Sequence, residues 1–359
     1  MGSSSSRTNS TTNRMDRRQT GRRRRSRLRV VVVAATAVLG LVSLLAACGG
    51  DEQAAEDGRL LVVTTVAPIT SIVANVVGDE AEVVGIVPEG TNSHTFEPRP
   101  SDAKQLARAD VIFMNGLKLE EPTRKLAESN KARTTEIVEL GDETITPDEY
   151  VFDFSFPKEE GKPNPHLWTN PPMAKRFAEI VAERMARLDP DSADVYRANL
   201  AAFSARVDAF DEAIRTAFAT IPDGQRKLLT YHDAYAYFAQ EYDFEVIGAI
   251  QVSDFEDPTP KQVAGLIEQV RATGVRAIFG SEVFPSPVLE QIGKQTGAVY
   301  VDVLRDDDLP GEPGDPEHSW LGLMRFDFVT MTRALGGDPG ALETFDVSDV
   351  APDRARYPQ

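Results

Sequence analysis

From residue 60 onward, short runs of aliphatic and β-branched residues alternate with longer stretches of helical period, and this alternation occurs twice. In the first set the strand candidates are 60–65 (Leu-Leu-Val-Val-Thr-Thr), 82–87, 111–115 and 134–139, with helical stretches at 68–77 and 101–109. The second set has strand candidates at 227–231, 245–250, 276–280 and 298–303, with helices at 233–241, 260–272 and 286–295. Strands separated by helices pair in parallel, because the crossover must return over a sheet face. The openings of the two sets, 59–79 and 226–244, also resemble each other, a weak internal repeat at domain scale.

Between the sets lies a strongly helical region. After the break at Asp189-Pro190, residues 191–219 place Val195, Leu200, Phe203, Val207, Phe210, Ile214 and Phe218 at a spacing of three to four. A helix this long would act as a stiff spine. The expected fold class is therefore α/β, with two lobes of parallel sheet joined by a long rigid helix and a binding cleft between them. The expected boundaries are an N-terminal lobe at 59–188, a linking helix at 189–220, a C-terminal lobe at 221–345 and a tail at 346–359.

The N-terminus has a different character. Residues 1–47 hold ten Arg and one acid, Asp16, and residues 30–47 are an apolar run that ends in small residues. A basic region, an apolar stretch and a small-residue exit form a signal peptide over 1–47. The quartet Leu45-Ala46-Ala47-Cys48 resembles a bacterial lipobox, in which the Cys sulfur receives a diacylglycerol. Residues 48–58 then read as a flexible acidic tether. An uncleaved anchor is the alternative, and either way the body is expected outside the cytoplasm, attached to the cell membrane.

Of 39 basic and 56 acidic residues in the chain, 29 and 55 lie beyond residue 47, a net charge of −26 for the body. Such a body is a poor ligand for nucleic acid, and none is expected as a partner. Cys48 is the single cysteine, so neither a disulfide framework nor a cysteine zinc site is available. Metal chemistry must come from His and carboxylates.

Only four histidines occur, at 94, 166, 232 and 318. His94 follows the second strand, His232 directly follows Leu228–Tyr231, and His166 sits in Asn164-Pro165-His166-Leu167-Trp168. Asp302 follows Ala298–Val301 and is taken to end that strand. Carboxyl ends of parallel strands are where open α/β sheets place ligands. Three imidazoles and one carboxylate fill a tetrahedral zinc shell and leave no open position for an activated water, which suits carriage rather than hydrolysis. Glu282, at the end of another strand, is the alternative fourth ligand. His318 reads as a surface-loop residue, Asp233 as an N-cap of the following helix, and Trp168 and Trp320 as packing for the cleft walls. Because imidazoles must be neutral to bind, affinity is expected to fall below about pH 6.

Taken in order, the motifs resemble the solute-binding proteins of zinc and manganese ABC transporters (cluster A-I). The segments that carry the resemblance are His94-Thr95-Phe96-Glu97-Pro98, Asn164-Pro165-His166-Leu167-Trp168, His232-Asp233-Ala234-Tyr235, Phe279-Gly280-Ser281-Glu282, Tyr300-Val301-Asp302-Val303-Leu304 and Leu321-Gly322-Leu323-Met324. They span nearly all of 60–338. The resemblance implies a non-enzymatic carrier with His94, His166, His232 and Asp302 as ligands. An ABC permease and its ATPase would be the partners, a metallochaperone is a candidate loading partner, and the carrier would be a monomer. Manganese-type members typically have Glu at the third ligand position, so His232 favours Zn2+. The His-rich loop of many zinc members is replaced here by Pro157-Lys158-Glu159-Glu160-Gly161-Lys162. Alternatives are a manganese- or iron-binding protein of the same class and a metal-dependent surface adhesin. A secreted zinc hydrolase is disfavoured, because no His-Glu-x-x-His segment occurs.

Overall fold

The structure, a computed structural model, describes residues 58–251, 258–281 and 286–359, all within one unit, Asp57–Gln359. The expected signal peptide, Cys48, all but the last residue of the expected tether, and Glu282 lie outside the described residues. Among the described residues no helix is long and apolar enough to cross a membrane.

The first half runs β1 (Leu60–Val63), α1 (Ala67–Val77), β2 (Ala81–Val84), α2 (Asp102–Arg108), β3 (Val111–Met114), α3 (Glu121–Asn130), β4 (Glu136–Glu139) and α4 (Leu140–Thr144). Two helices follow, α5 (Pro171–Leu188) and α6 (Ala193–Phe218). The second half runs β5 (Lys227–Thr230), α7 (Ala236–Glu241), β6 (Glu245–Ala249), α8 (Pro260–Thr273), β7 (Ala277–Ser281), α9 (Pro287–Thr296), β8 (Val299–Leu304), α10 (Trp320–Ala334) and α11 (Gly340–Glu343).

Each half builds a four-stranded parallel sheet, in the order β2-β1-β3-β4 and β6-β5-β7-β8. The two orders are the same when numbered from the first strand of each half, so the likeness between 59–79 and 226–244 reflects a shared topology. Central strands are buried on both faces, as Val62, Val63, Ile112 and Phe113 show, which explains why they read as continuous apolar runs rather than alternating ones. All eleven residues of α1 are buried, because it is enclosed between the sheet and the pair α5 and α6.

At about 1.5 Å per residue, the 26 residues of α6 extend roughly 39 Å. Its buried stripe runs through Tyr196, Phe203, Val207, Phe210, Ile214 and Phe218, while Val195 is exposed. Phe203 packs on Trp320, and Phe210 stacks on Phe328 at 6.1 Å. The helix therefore joins the core of both lobes.

After α11 the chain crosses back to the first sheet. Arg356 lies parallel to Val84, with its N–H donating to Val83 O and its carbonyl accepting from Gly85 N, both at 2.9 Å. Pro358 O accepts from Glu89 N at 3.1 Å, and Asp349 accepts from Asn75 at 2.6 Å. This return corrects the surface reading of His318, which is 2% exposed. Its ring stands edge-on to Tyr357 of the tail, and Nε2 lies 3.2 Å from Glu89 Oε2.

Candidate metal centre

Three loops bring three imidazoles together. His94 lies in the loop after β2, where its N–H donates to Asn92 Oδ1 at 2.9 Å. His166 precedes a single 3-10 turn, Leu167–Thr169, and His232 follows β5. The ligand nitrogens of all three lie within 4.8 Å of one another. The Nε2 atoms of His94 and His232 are each 3.1 Å from His166 Nε2. A tetrahedral shell with metal–nitrogen bonds near 2.05 Å has edges of roughly 3.3 Å, so the spacing already suits one small cation.

The tautomer of His166 follows from its neighbour. Asn164 Nδ2 faces two acceptors, Asp153 Oδ2 at 2.7 Å and Asp233 O at 2.6 Å. Its amide orientation is therefore fixed, and Oδ1 must be the atom facing His166. That oxygen accepts from His166 N at 3.0 Å and from Nδ1 at 2.9 Å. The ring proton sits on Nδ1, and the Nε2 lone pair faces the cluster.

The surroundings hold the rings neutral. Burial, then the charges of His232 and Lys162, lowers His94 well below the usual imidazole range. Burial and the other two histidines do the same for His166, and burial alone pushes His232 down to about 3. The Phe156 ring stands 5.5–5.7 Å from all three imidazole rings. Trp168 packs 5.0 Å from His166, and its indole donates to Asp306 O at 2.7 Å; Trp320 in turn donates to Trp168 O. The two tryptophans thus support the site.

The structure does not bring Asp302 to the cluster. The strand taken to end at Val301 runs on to Leu304, pairing with Ser281 of β7. Asp302 is consequently inside β8, exposed, and lines a separate cavity with Ser286, Glu290 and Tyr300. The residues past the strand end are Arg305 to Asp308. Asp306 shares a small cavity with His232, Tyr231 and Ser281. Asp307 lies beside Ser93, next to His94, and is pushed well above the carboxylate range by burial and by Asp306 and Asp308. Asp308 accepts from Gly90 N at 2.8–2.9 Å, linking this turn to the His94 loop. Asp327 of α10 fixes the start of the turn by accepting from Arg305 N at 2.9 Å.

Asp233 is not an N-cap. The helix begins at Ala236, and Tyr235 before it makes no side-chain cap. Burial, then neighbouring Asp153, pushes Asp233 well above the carboxylate range. Asn164 was within reach of sequence reasoning, since it stands two residues before His166 in the same motif. Nothing in the sequence around Phe156 marks it as a cover for the site.

A family model described as zinc-uptake complex component A, periplasmic (ZnuA), matches residues 62–334. The chain belongs to the ZnuA family. Members of this family are solute-binding proteins of metal ABC transporters, not enzymes. Among curated relatives, the iron-binding protein YfeA of Yersinia pestis is 31% identical over 77% of this chain and 86% of its own. The metal ABC transporter substrate-binding lipoprotein FimA of Streptococcus parasanguinis is 29% identical over 77% and 90%. Among solved structures, the periplasmic zinc-binding protein TroA of Treponema pallidum superposes with a TM-score of 0.69 at 24% identity, covering 77% of this chain and 99% of TroA. That likeness shows the two-lobed ZnuA-family fold.

Proposed function

We propose that this protein captures one zinc ion outside the cytoplasm and passes it to an ABC-type importer, with His94, His166 and His232 as ligands. The observation that carries this is the convergence of three neutral imidazoles, with the Nε2 atoms of His94 and His232 each 3.1 Å from that of His166. Imidazole suits zinc better than the hard cations, which prefer oxygen. The fourth ligand in this reading is Asp306, which lines the His232 cavity beyond the end of β8. A shell closed by four protein groups supports carriage rather than hydrolysis.

The lipobox quartet supports attachment to the membrane through Cys48, and relatives such as FimA are named lipoproteins. The partner would be a permease with its ATPase. A metallochaperone is proposed as the loading partner, and the carrier works as a monomer. Manganese or iron is the competing cargo, since relatives carry those names.

Competition titration of the mature body with zinc and manganese, together with diffraction at the zinc absorption edge, tests the assignment. It expects about one zinc per chain, bound on Nε2 of three histidines. Retention of manganese in excess zinc would overturn zinc as the cargo, and no metal after loading and desalting would overturn the site.

A further inference from the structure

A cavity of ≈ 310 Å³ opens beside His94, between the turn after β3 and the loop that carries Phe156. Its volume falls at the small end of the roughly 300–1,000 Å³ typical of small-molecule sites. Three lysines line it, Lys118, Lys125 and Lys162, against two carboxylates, Glu121 and Glu160. None of the three ammonium groups has an ion-pair partner among the described residues. Lys118 Nζ instead donates to Gly161 O at 2.9 Å. In a body with 29 basic and 55 acidic residues, three unneutralised lysines around one cavity stand out against the background charge.

The turn that carries Lys118 has an uncommon backbone. Gly116, Leu117 and Lys118 have φ of 82°, 52° and 66°, three successive left-handed residues. A Cβ on Gly116 would stand 2.3 Å from Asp142 Oδ2, so only glycine fits there. Non-glycine residues in this region carry a conformational cost and persist where the surroundings impose them. Here Leu117 N donates to the same Asp142 oxygen at 2.8 Å.

This inference rests on the metal-carrier reading. Three neutral imidazoles leave a bound dication with both charges uncompensated, and a single carboxylate removes only one of them. We infer that the cavity beside His94 binds a small polycarboxylate anion that accompanies the metal at the mouth of the site. The three lysines would hold its carboxylates, and its negative charge would face the dication across His94.

Citrate is the probe. Equilibrium dialysis of labelled citrate against zinc-loaded protein should retain about one citrate per chain, with zinc still on the protein. The variant K118Q/K125Q/K162Q alters exposed side chains only. It should weaken citrate retention by about tenfold, at a few-fold per lysine, and leave zinc stoichiometry unchanged. Citrate that fails to bind, binds the variant equally well, or leaves in solution with the zinc overturns the inference. Dialysis of metal-free protein tests the cavity by itself, where weaker but lysine-dependent retention is expected. A chain that never holds zinc would therefore sink the carrier reading and still report on the cavity.

Discussion

Asn164 Oδ1 stands 2.9 Å from His166 Nδ1, and this contact decides which nitrogen of His166 is offered to a metal. Asn164→Ala frees the ring to take either tautomer. Loss of an outer-shell partner of this kind costs about 10–100-fold in metal affinity. Asn164→Asp keeps an acceptor for Nδ1 but loses the donors to Asp153 and to the Asp233 carbonyl, so it should retain more affinity than the alanine variant at lower stability. Competition titration with a zinc indicator, alongside thermal unfolding, separates the two effects.

The extension of β8 to Leu304 makes a paired prediction. Asp302→Asn should leave zinc affinity within about twofold, as expected of an exposed residue away from the site. Asp306→Asn removes the proposed fourth ligand and should lower affinity by more than the about 10–100-fold of an outer-shell loss. Equal loss in both variants would return Asp302 to the site.

The buried imidazoles set the acid response. Their folded pKa values lie below the unfolded value of about 6.5, with His232 near 3. The unfolded chain therefore binds more protons than the native one below about pH 6.5. Metal-free stability should fall as pH drops through this window, by up to about 1.4 kcal/mol per unit for each histidine. Chemical denaturation of metal-free protein at pH 7 and pH 5 measures it. Protons do not compete for neutral buried rings until far lower pH, so affinity should hold at pH 5, against the sequence-based expectation of a fall below about pH 6. A loss of affinity centred on pH 6 would show that the rings titrate as exposed ones.

Ending the chain at Phe345 removes the pairing of Arg356 with β2, the Asp349–Asn75 contact and the Tyr357 ring over His318. Several hydrogen bonds at about 1 kcal/mol each are lost. The denaturation midpoint should fall accordingly, and His318, 2% exposed in the full chain, should react faster with diethyl pyrocarbonate in the shortened one.

Much of this was legible in the sequence because it depends on local pattern. All eight strands lie within a few residues of their apolar runs, and the long helix is written in the spacing of Phe203, Val207, Phe210 and Ile214. The three histidines were legible because so few exist and each follows a strand or a motif. Strand ends were not. Tyr300-Val301-Asp302-Val303-Leu304 could stop at Val301 or continue to Leu304, and only pairing with Ser281 decides. With the strand continuing to Leu304, Asp302 lies within β8 and Asp306 is the acidic residue that lines the His232 cavity, which is why Asp306 is the proposed fourth ligand. His318 was misread for another reason: the ring that covers it comes from Tyr357, 39 residues on, and no local pattern announces such a cover.

The return of the tail lays Arg356 beside Val84 of β2, the outer strand of the first sheet. An unpaired sheet edge is a template on which another chain can add a strand. With Gly85 N donating to Arg356 O and Arg356 N to Val83 O, the tail occupies part of that edge and takes up backbone groups that a second molecule could otherwise pair with.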